Sequence, residues 1–284
     1  GNFLCGAETM ANNQSGSGSR LVAATLAFIL VAFTFSTIYV FAARIWWPPE
    51  TISLMGPAID AQLVQTFIIC GVVFFLAQLL LAFVVLWYRD RGQRAHYFHG
   101  NNTMEIVWTS ATAILFLALG IAAESAWAEL RWRGAAPDAV QVEVTGQQFA
   151  WNFRYPGPDG TFGRTDPTLI NDSAGNPLGV DFDDPAAEDD IITPVMAVPL
   201  NQEVEIILRS KDVLHSFFVR ELRFKQDTVP GLAIRLHFTA NKVGRYEIVC
   251  AELCGMQHHR MRTFLEVLPP DEYQSWLQEQ AAFE

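Results

Sequence analysis

Charge is scarce in this chain, and positive charge scarcest. Only 17% of the 284 residues are charged, against about 25% in an ordinary soluble domain. Lys and Arg number 19 against 30 Asp and Glu, a net charge of −11. That balance excludes a basic nucleic-acid binder, which needs a positive face to meet phosphates. Cysteine is also rare, with 4 in all, which excludes a small disulfide scaffold. At 51% hydrophobic residues the chain is equally far from a disordered polymer. Few charges combined with a large net charge imply two unlike parts. Residues 1–130 hold 5 basic and 7 acidic residues, and residues 131–284 hold 14 and 23.

The missing charges leave three long apolar runs. Leu21 to Ala43 is 23 residues without a charge, Ala61 to Tyr88 is 28, and Ile106 to Ala123 is 18, bracketed by Glu105 and Glu124. A bilayer core needs about 20 apolar residues in a helix, so transmembrane helices are expected over 21–46, 61–88 and 103–130. The first run is longer than a leader's apolar region of about 7–15 residues, and is read as a retained helix. Residues 1–20 form a polar, Gly/Ser/Asn-rich segment without a motif. Arg89, Arg91 and Arg94 place the second loop in the cytoplasm, while the loop from Arg44 to Asp60 suits the outside. The N-terminus is then cytoplasmic, and residues 131–284 lie outside, on the periplasmic face of a bacterial inner membrane. Trp46, Trp47, Trp87, Tyr88, Trp127 and Trp132 fall at the expected interfaces.

After Arg133 the hydrophobic period changes from helical to alternating. Val140, Val142 and Val144 alternate with polar residues, as do Val204, Ile206 and Leu208. Further strand-like runs are 217–222, 232–239, 245–249 and 262–267. This spacing indicates an antiparallel sandwich or barrel over 134–270. A Gly/Pro/Asp-rich insertion, 156–190, is too polar for a core. Pro269-Pro270-Asp271 then opens a short C-terminal helix within 271–284, with Asp271 as its expected N-cap.

Two of the four cysteines share the motif Cys250-Ala251-Glu252-Leu253-Cys254-Gly255-Met256-Gln257-His258-His259-Arg260-Met261, and His215 lies 35 residues upstream. Thiolate, imidazole and thioether are soft or borderline ligands that favour copper over oxygen-seeking cations. A mononuclear blue-copper site uses one Cys, two His and a weak Met. Two Cys permit two coppers bridged by both sulfurs. A disulfide would explain the cysteines but neither His215, His258 nor Met261. Zinc seldom takes Met.

These residues, with Val213-Leu214-His215-Ser216-Phe217 and Lys225-Gln226-Asp227-Thr228-Val229-Pro230-Gly231, resemble subunit II of haem–copper cytochrome c oxidases. The similarity covers roughly residues 60–280. The resemblance implies a cupredoxin-like Greek-key β-barrel behind transmembrane helices, holding a dinuclear copper centre, CuA. It implies that Cys250 and Cys254 bridge, that His215 pairs with axial Met261, and that His258 pairs with the backbone carbonyl of Glu252. It makes the chain an electron-entry subunit of a proton-pumping terminal oxidase, taking electrons from cytochrome c or a c-type haem domain. The partner would be the haem-containing catalytic subunit I, among other membrane subunits. His237 and His259 fall outside the ligand spacing.

The resemblance singles out four further residues. The Glu252 side chain matches a ligand to a Mg2+ shared with the catalytic subunit; otherwise it orients the copper loop. Glu105 matches the glutamate at the mouth of a proton-uptake channel, while Asn102-x-x-Glu105 also reads as a capping box. In Gly146-Gln147-Gln148-Phe149-Ala150-Trp151, Phe149 stands where the family commonly has the Trp of electron entry, so Phe149 and Trp151 are the candidates for that path. Helix 21–46 is extra, since family members usually have two spans. The run Asp181 to Asp190 has six carboxylates in ten residues, read as a solvated loop or as a surface steering a basic donor. Alternatives are the CuA subunit of a nitric-oxide reductase and, in a different class, a membrane copper chaperone of thioredoxin-like fold with fewer ligands.

Overall fold

The computed structural model describes residues 3–94, 96–97 and 99–281. Three long helices come first: α1 (Phe3–Ala42), α2 (Gly56–Trp87) and α3 (Asn102–Arg131). Each contains a stretch long and apolar enough to cross a bilayer, Gly18–Ala42, Gly56–Trp87 and Asn102–Glu129. Large apolar side chains such as Phe28, Phe67, Phe116 and Ile121 are exposed along them, which water disfavours and hydrocarbon accepts. The buried residues of α1 and α2 are small (Ala23, Ala27, Thr34, Ala82), as close approach of two membrane helices requires. Edge-on ring pairs, Phe33 with Phe74 and Phe35 with Phe75, flank them.

Helix α1 begins at Phe3, well before its apolar run, and stops at Ala42 rather than 46. Arg44 and Trp46 adopt left-handed backbone, φ 53° and 61°, which ends a right-handed helix. The N-cap of α3 is Asn101, whose Oδ1 accepts from the Met104 amide at 3.2 Å. The capping box expected from Asn102 is therefore one position out of register. Glu105 lies one residue beyond the place that could reach back, exposed in the first turn.

The second compact unit comprises residues 48–60 and 123–281. Its strands are β1 (Val140–Gln147), β2 (Ala150–Tyr155), β3 (Ile191–Thr193), β4 (Met196–Pro199), β5 (Glu203–Ser210), β6 (His215–Val219), β7 (Phe224–Thr228), β8 (Ile234–Thr239), β9 (Gly244–Cys250) and β10 (Arg262–Leu268). They form two sheets, in the orders β3-β2-β1-β5-β8 and β4-β10-β9-β6-β7. The alternating valines of β1 and the apolar residues of β5 are direct neighbours, Val142 opposite Ile206 and Val144 opposite Leu208, all buried. From the other sheet, Phe217, Ile248 and Leu265 meet them in one core.

The sheets are mixed rather than antiparallel throughout: β1 runs parallel to β5, and β10 to β4. Long connections separate the strands of each parallel pair, so no tight hairpin imposes an antiparallel order. The last helix, α4 (Pro270–Ala281), begins one residue before Asp271. Pro270 takes the first helical position, where its missing N–H costs nothing, and Asp271 lies in the first turn instead of capping it.

The connector between α1 and α2 is part of this unit. Ile52 enters the core, and its backbone bonds Glu221 and Asn241. Arg223 clamps the Asp60 carboxylate at 2.6 and 2.9 Å and donates to the Pro49 carbonyl.

The insertion holds three single-turn 3-10 helices, capped by Asp166, Asn171 and Asp184. Its acidic run is largely occupied. Asp181 and Asp184 pair with Arg164, Asp189 accepts from the Asp159 amide, and Asp190 is buried 3.2 Å from Arg154 Nε. Asp190 Oδ2 also accepts from the Gly163 amide, and Arg154 donates to the Gly163 carbonyl. Glu143, tied to Arg209 at 2.7 Å, completes the buried cluster. The run is thus mostly a structural seam, with Asp183 and Glu188 left at its surface.

Burial pushes the Asp190 carboxyl up to about 6, against the pull of the Arg154 guanidinium. A carboxyl raised above its unfolded value contributes stability that is full below about pH 4 and lost as pH rises through about 6. Thermal unfolding of the full chain should therefore show a component that weakens over this window. Asp190→Asn should flatten it; a variant with the parental slope would contradict the assignment.

Candidate metal centre

The ligand candidates converge at one end of the sandwich because three strands end there. His215 opens β6, Cys250 closes β9, and Met261 immediately precedes β10. β6 and β9 are neighbours, with Phe217 opposite Cys250. The loop 251–261 is closed at its base by the Cys250 amide donating to the Met261 carbonyl at 3.1 Å. The Ala251 amide ties it to Ser216. The ligand spacing in the sequence is therefore the span of one loop, plus a residue on the adjacent strand.

Cys250 and Cys254 are free thiols with sulfurs 3.8 Å apart. His215 Nδ1 is 3.9 Å from the Cys250 sulfur, and His258 Nδ1 is 3.7 Å from that of Cys254. The Met261 sulfur lies 3.7 Å from Cys254 Sγ, and the Glu252 carbonyl 3.1 Å from Cys250 Sγ. Among the described residues, His215, Cys250 and Cys254 are the one group of His, Cys or acidic side chains whose ligand atoms all approach within 4.8 Å. His215, Cys250, Cys254 and Met261 are buried and His258 half-buried. Two imidazoles, two thiols, a thioether and a carbonyl, with no carboxylate among them, match the preference of copper.

The electrostatics favour a first thiolate at Cys250. Burial alone would raise this thiol, but hydrogen bonds, that of His215 first, outweigh it and bring it down to about 6. Cys254 goes up to about 11, through burial and the neighbouring Cys250 charge. Burial would lower the His215 imidazole, yet the Cys250 sulfur and the Asp212 carboxylate raise it. Asp212 Oδ1 lies 2.7 Å from His215 Nε2, and Oδ2 accepts from the Gln148 amide at 2.7 Å. Asp212 opposes its own desolvation with the bonds from His215 and the amides of Gln148 and Val213, and its carboxyl is lowered. This outer partner fixes the ring and leaves Nδ1 for the sulfur side.

The two electron-entry candidates separate by depth. Trp151 is buried, with its ring 6.1 Å from that of His215 and 5.6 Å from that of Phe217. Phe149 is half-buried in the β1–β2 turn, beside the 251–261 loop at Gly255. The Glu252 side chain is half-buried, and its carboxylate makes no hydrogen bond or ion pair among the described residues. His237 is buried against Glu203 at 2.8 Å, and His259 is exposed. Neither contributes to the cluster. Asp212 and Gln148 had no motif to announce them; a carboxylate three residues ahead of a ligand histidine was the available signal for the first.

Comparison with known proteins bears on this arrangement. The family model of the cytochrome c oxidase subunit II periplasmic domain matches residues 140–268. An alternative cytochrome c oxidase subunit 2 from Bradyrhizobium diazoefficiens is 34% identical over 268 residues, 92% of this chain and 93% of the relative. The cytochrome c oxidase subunit 2 of Cereibacter sphaeroides is 29% identical over 226 residues, 75% of this chain and 72% of that one. The crystal structure of the periplasmic domain of subunit II of the Bradyrhizobium japonicum cytochrome oxidase is 28% identical. It covers 52% of this chain and 97% of its own, with a TM-score of 0.38.

Fold and site together define a cupredoxin-like domain behind three span-capable helices, with a cluster of soft donors that could hold a metal. The two sheets exclude the thioredoxin-like fold of the chaperone alternative. The chain belongs to the cytochrome c oxidase subunit II family, whose members are subunits of haem–copper oxidases.

Gly146 packs directly against the cluster. A Cβ there would lie 3.0 Å from His215 Cδ2 and 3.1 Å from the Trp151 ring, and both side chains are buried. Gly146→Ala should destabilise the chain by about 1–3 kcal/mol through overpacking and lower metal uptake at the candidate centre, read by thermal unfolding and metal analysis. Parental values for both would show that the ring yields freely.

Proposed function

We propose that His215, Cys250, Cys254, His258 and Met261, with the Glu252 carbonyl, hold a dinuclear copper centre. Through it, the chain passes electrons from a c-type cytochrome to a haem-bearing catalytic subunit. The observation that carries this reading is the convergence of two thiols, two imidazoles and a thioether in one largely buried cluster, with no carboxylate among the converging sulfur and nitrogen atoms. Bound there, the copper pair supplies a one-electron relay. The chain's own part is to hold its ligands still. The Asp212 carboxylate orients His215, the closed base of the loop spaces Cys250 from Met261, and the core excludes water from the sulfurs. Fixed ligands keep the geometry nearly the same in both redox states, which is what rapid electron transfer requires.

Four further assignments accompany this one. The uncommitted Glu252 carboxylate is offered to a Mg2+ at the boundary with the catalytic subunit, where hard oxygen ligands are preferred. Glu105, exposed at the start of α3, opens a proton path on the cytoplasmic side. Phe149 receives the electron, with Trp151 behind it. The membership of residues 48–60 in the barrel unit supports a common side for both, hence a cytoplasmic N-terminus with the arginine loop.

Cys254→Ser in the assembled oxidase should abolish oxidation of reduced cytochrome c. Oxygen should still be consumed when a small chemical reductant feeds the haem subunit directly. Sustained cytochrome c oxidation by this variant would sink the electron-entry role.

A further inference from the structure

The β1–β2 turn carries Phe149, yet nothing in the ligand set holds that turn to the copper loop. The structure shows what does. The Gln148 side-chain amide donates from Nε2 to the backbone carbonyl of Cys254 at 2.6 Å. The backbone amide of the same residue donates to Asp212, which also bonds His215. Gln148 is thus bonded to both halves of the cluster, to the Cys254 loop by its side chain and to the His215 side through Asp212.

The surroundings show close fit at this contact. Gly255, next to Cys254, has φ 139° and no side chain; a Cβ would lie 2.8 Å from Gln148 Nε2 and 3.1 Å from the Phe149 ring. The absent side chain lets the Phe149 ring and the Gln148 amide approach the loop backbone. The insertion braces the turn from its other side. Lys211 Nζ bridges Gln147 Oε1 at 2.9 Å and Asp172 Oδ1 at 2.6 Å, and the Lys211 amide donates to the Gly146 carbonyl.

We propose that Gln148 is a positioning residue: its side-chain amide pins the β1–β2 turn to the Cys254 carbonyl, holding Phe149 against Gly255 at one fixed separation from the copper ligands. The inference rests on the copper reading above and adds a residue that touches neither metal nor donor haem. It also gives the insertion a task through Asp172, as a brace. Gln148 is itself exposed, while the Cys254 carbonyl it satisfies belongs to a buried residue, so its removal leaves that acceptor unpaired at a local cost. Loss of an outer-shell partner commonly lowers activity by about 10–100-fold.

The test uses the full oxidase carrying Gln148→Met, which keeps the length and loses the donor. Gln148→Glu keeps the shape but sets an acceptor against the carbonyl, and serves if the first variant does not assemble. Copper content and a hyperfine pattern shared by two nuclei should be retained. Electron entry from reduced cytochrome c at saturating donor should slow by about tenfold with KM unchanged. In the metal-free chain, amide hydrogen exchange at 148–149 and 254–256 should accelerate, a change that a mere surface contact would not produce. A parental rate with parental exchange overturns the proposal. So does a rate loss fully matched by lost copper, which would make Gln148 part of metal retention. Failure of the copper reading itself would appear in the parental oxidase as absence of the two-nucleus pattern, independently of Gln148.

Discussion

The structure depends most on the adjacency of β6 and β9. This pairing sets His215 beside Cys250, with the two strands antiparallel and Phe217 opposite Cys250. The remaining ligands follow from it, since the loop leaving Cys250 returns to pair along β10 from Arg262. Eleven residues, 251–261, must then place a second thiol, an imidazole and a thioether within one small volume. The packed core behind them, from Phe217 to Leu265, supplies the rigidity that a loop of this length lacks alone.

The membrane half and the barrel half share few rules. Along α1 and α2 the buried residues are small and the large rings face outward, the reverse of the barrel, where Phe153 and Phe217 are buried completely. The connector 48–60 joins the two regimes in sequence. By inserting Ile52 into the core and presenting Asp60 to Arg223, it makes the barrel complete only when the chain between the first two helices is present. An isolated 131–284 fragment would lack that contribution, so the full chain is the right object for experiment.

Legibility in the sequence followed physical simplicity. Uncharged apolar runs of 18 to 28 residues, about the length that spans a bilayer, announced the three helices. Strands whose apolar residues alternate with polar ones, such as β1 and β5, announced themselves by that alternation, and the ligand motif by its soft donors. Other elements carried no such period. All four residues of β4 are buried, β3 is three residues long, and β7 carries Lys225, Gln226 and Asp227 in sequence. The parallel pairs, the role of 48–60 and the pairing of Asp181, Asp184 and Asp190 with Arg164 and Arg154 all depend on contacts between distant residues. The same holds at the site: the proposed copper ligands are local and readable, whereas Asp212 and Gln148 matter only because the β1–β2 turn folds onto the loop.

The most direct test of the account is the copper stoichiometry of the full chain, measured together with its electron-spin resonance. Two coppers per chain, with hyperfine splitting shared equally between two nuclei, are the predicted result. One copper with a single-nucleus pattern, or zinc in its place, would contradict the assignment of both thiols to a shared dinuclear centre.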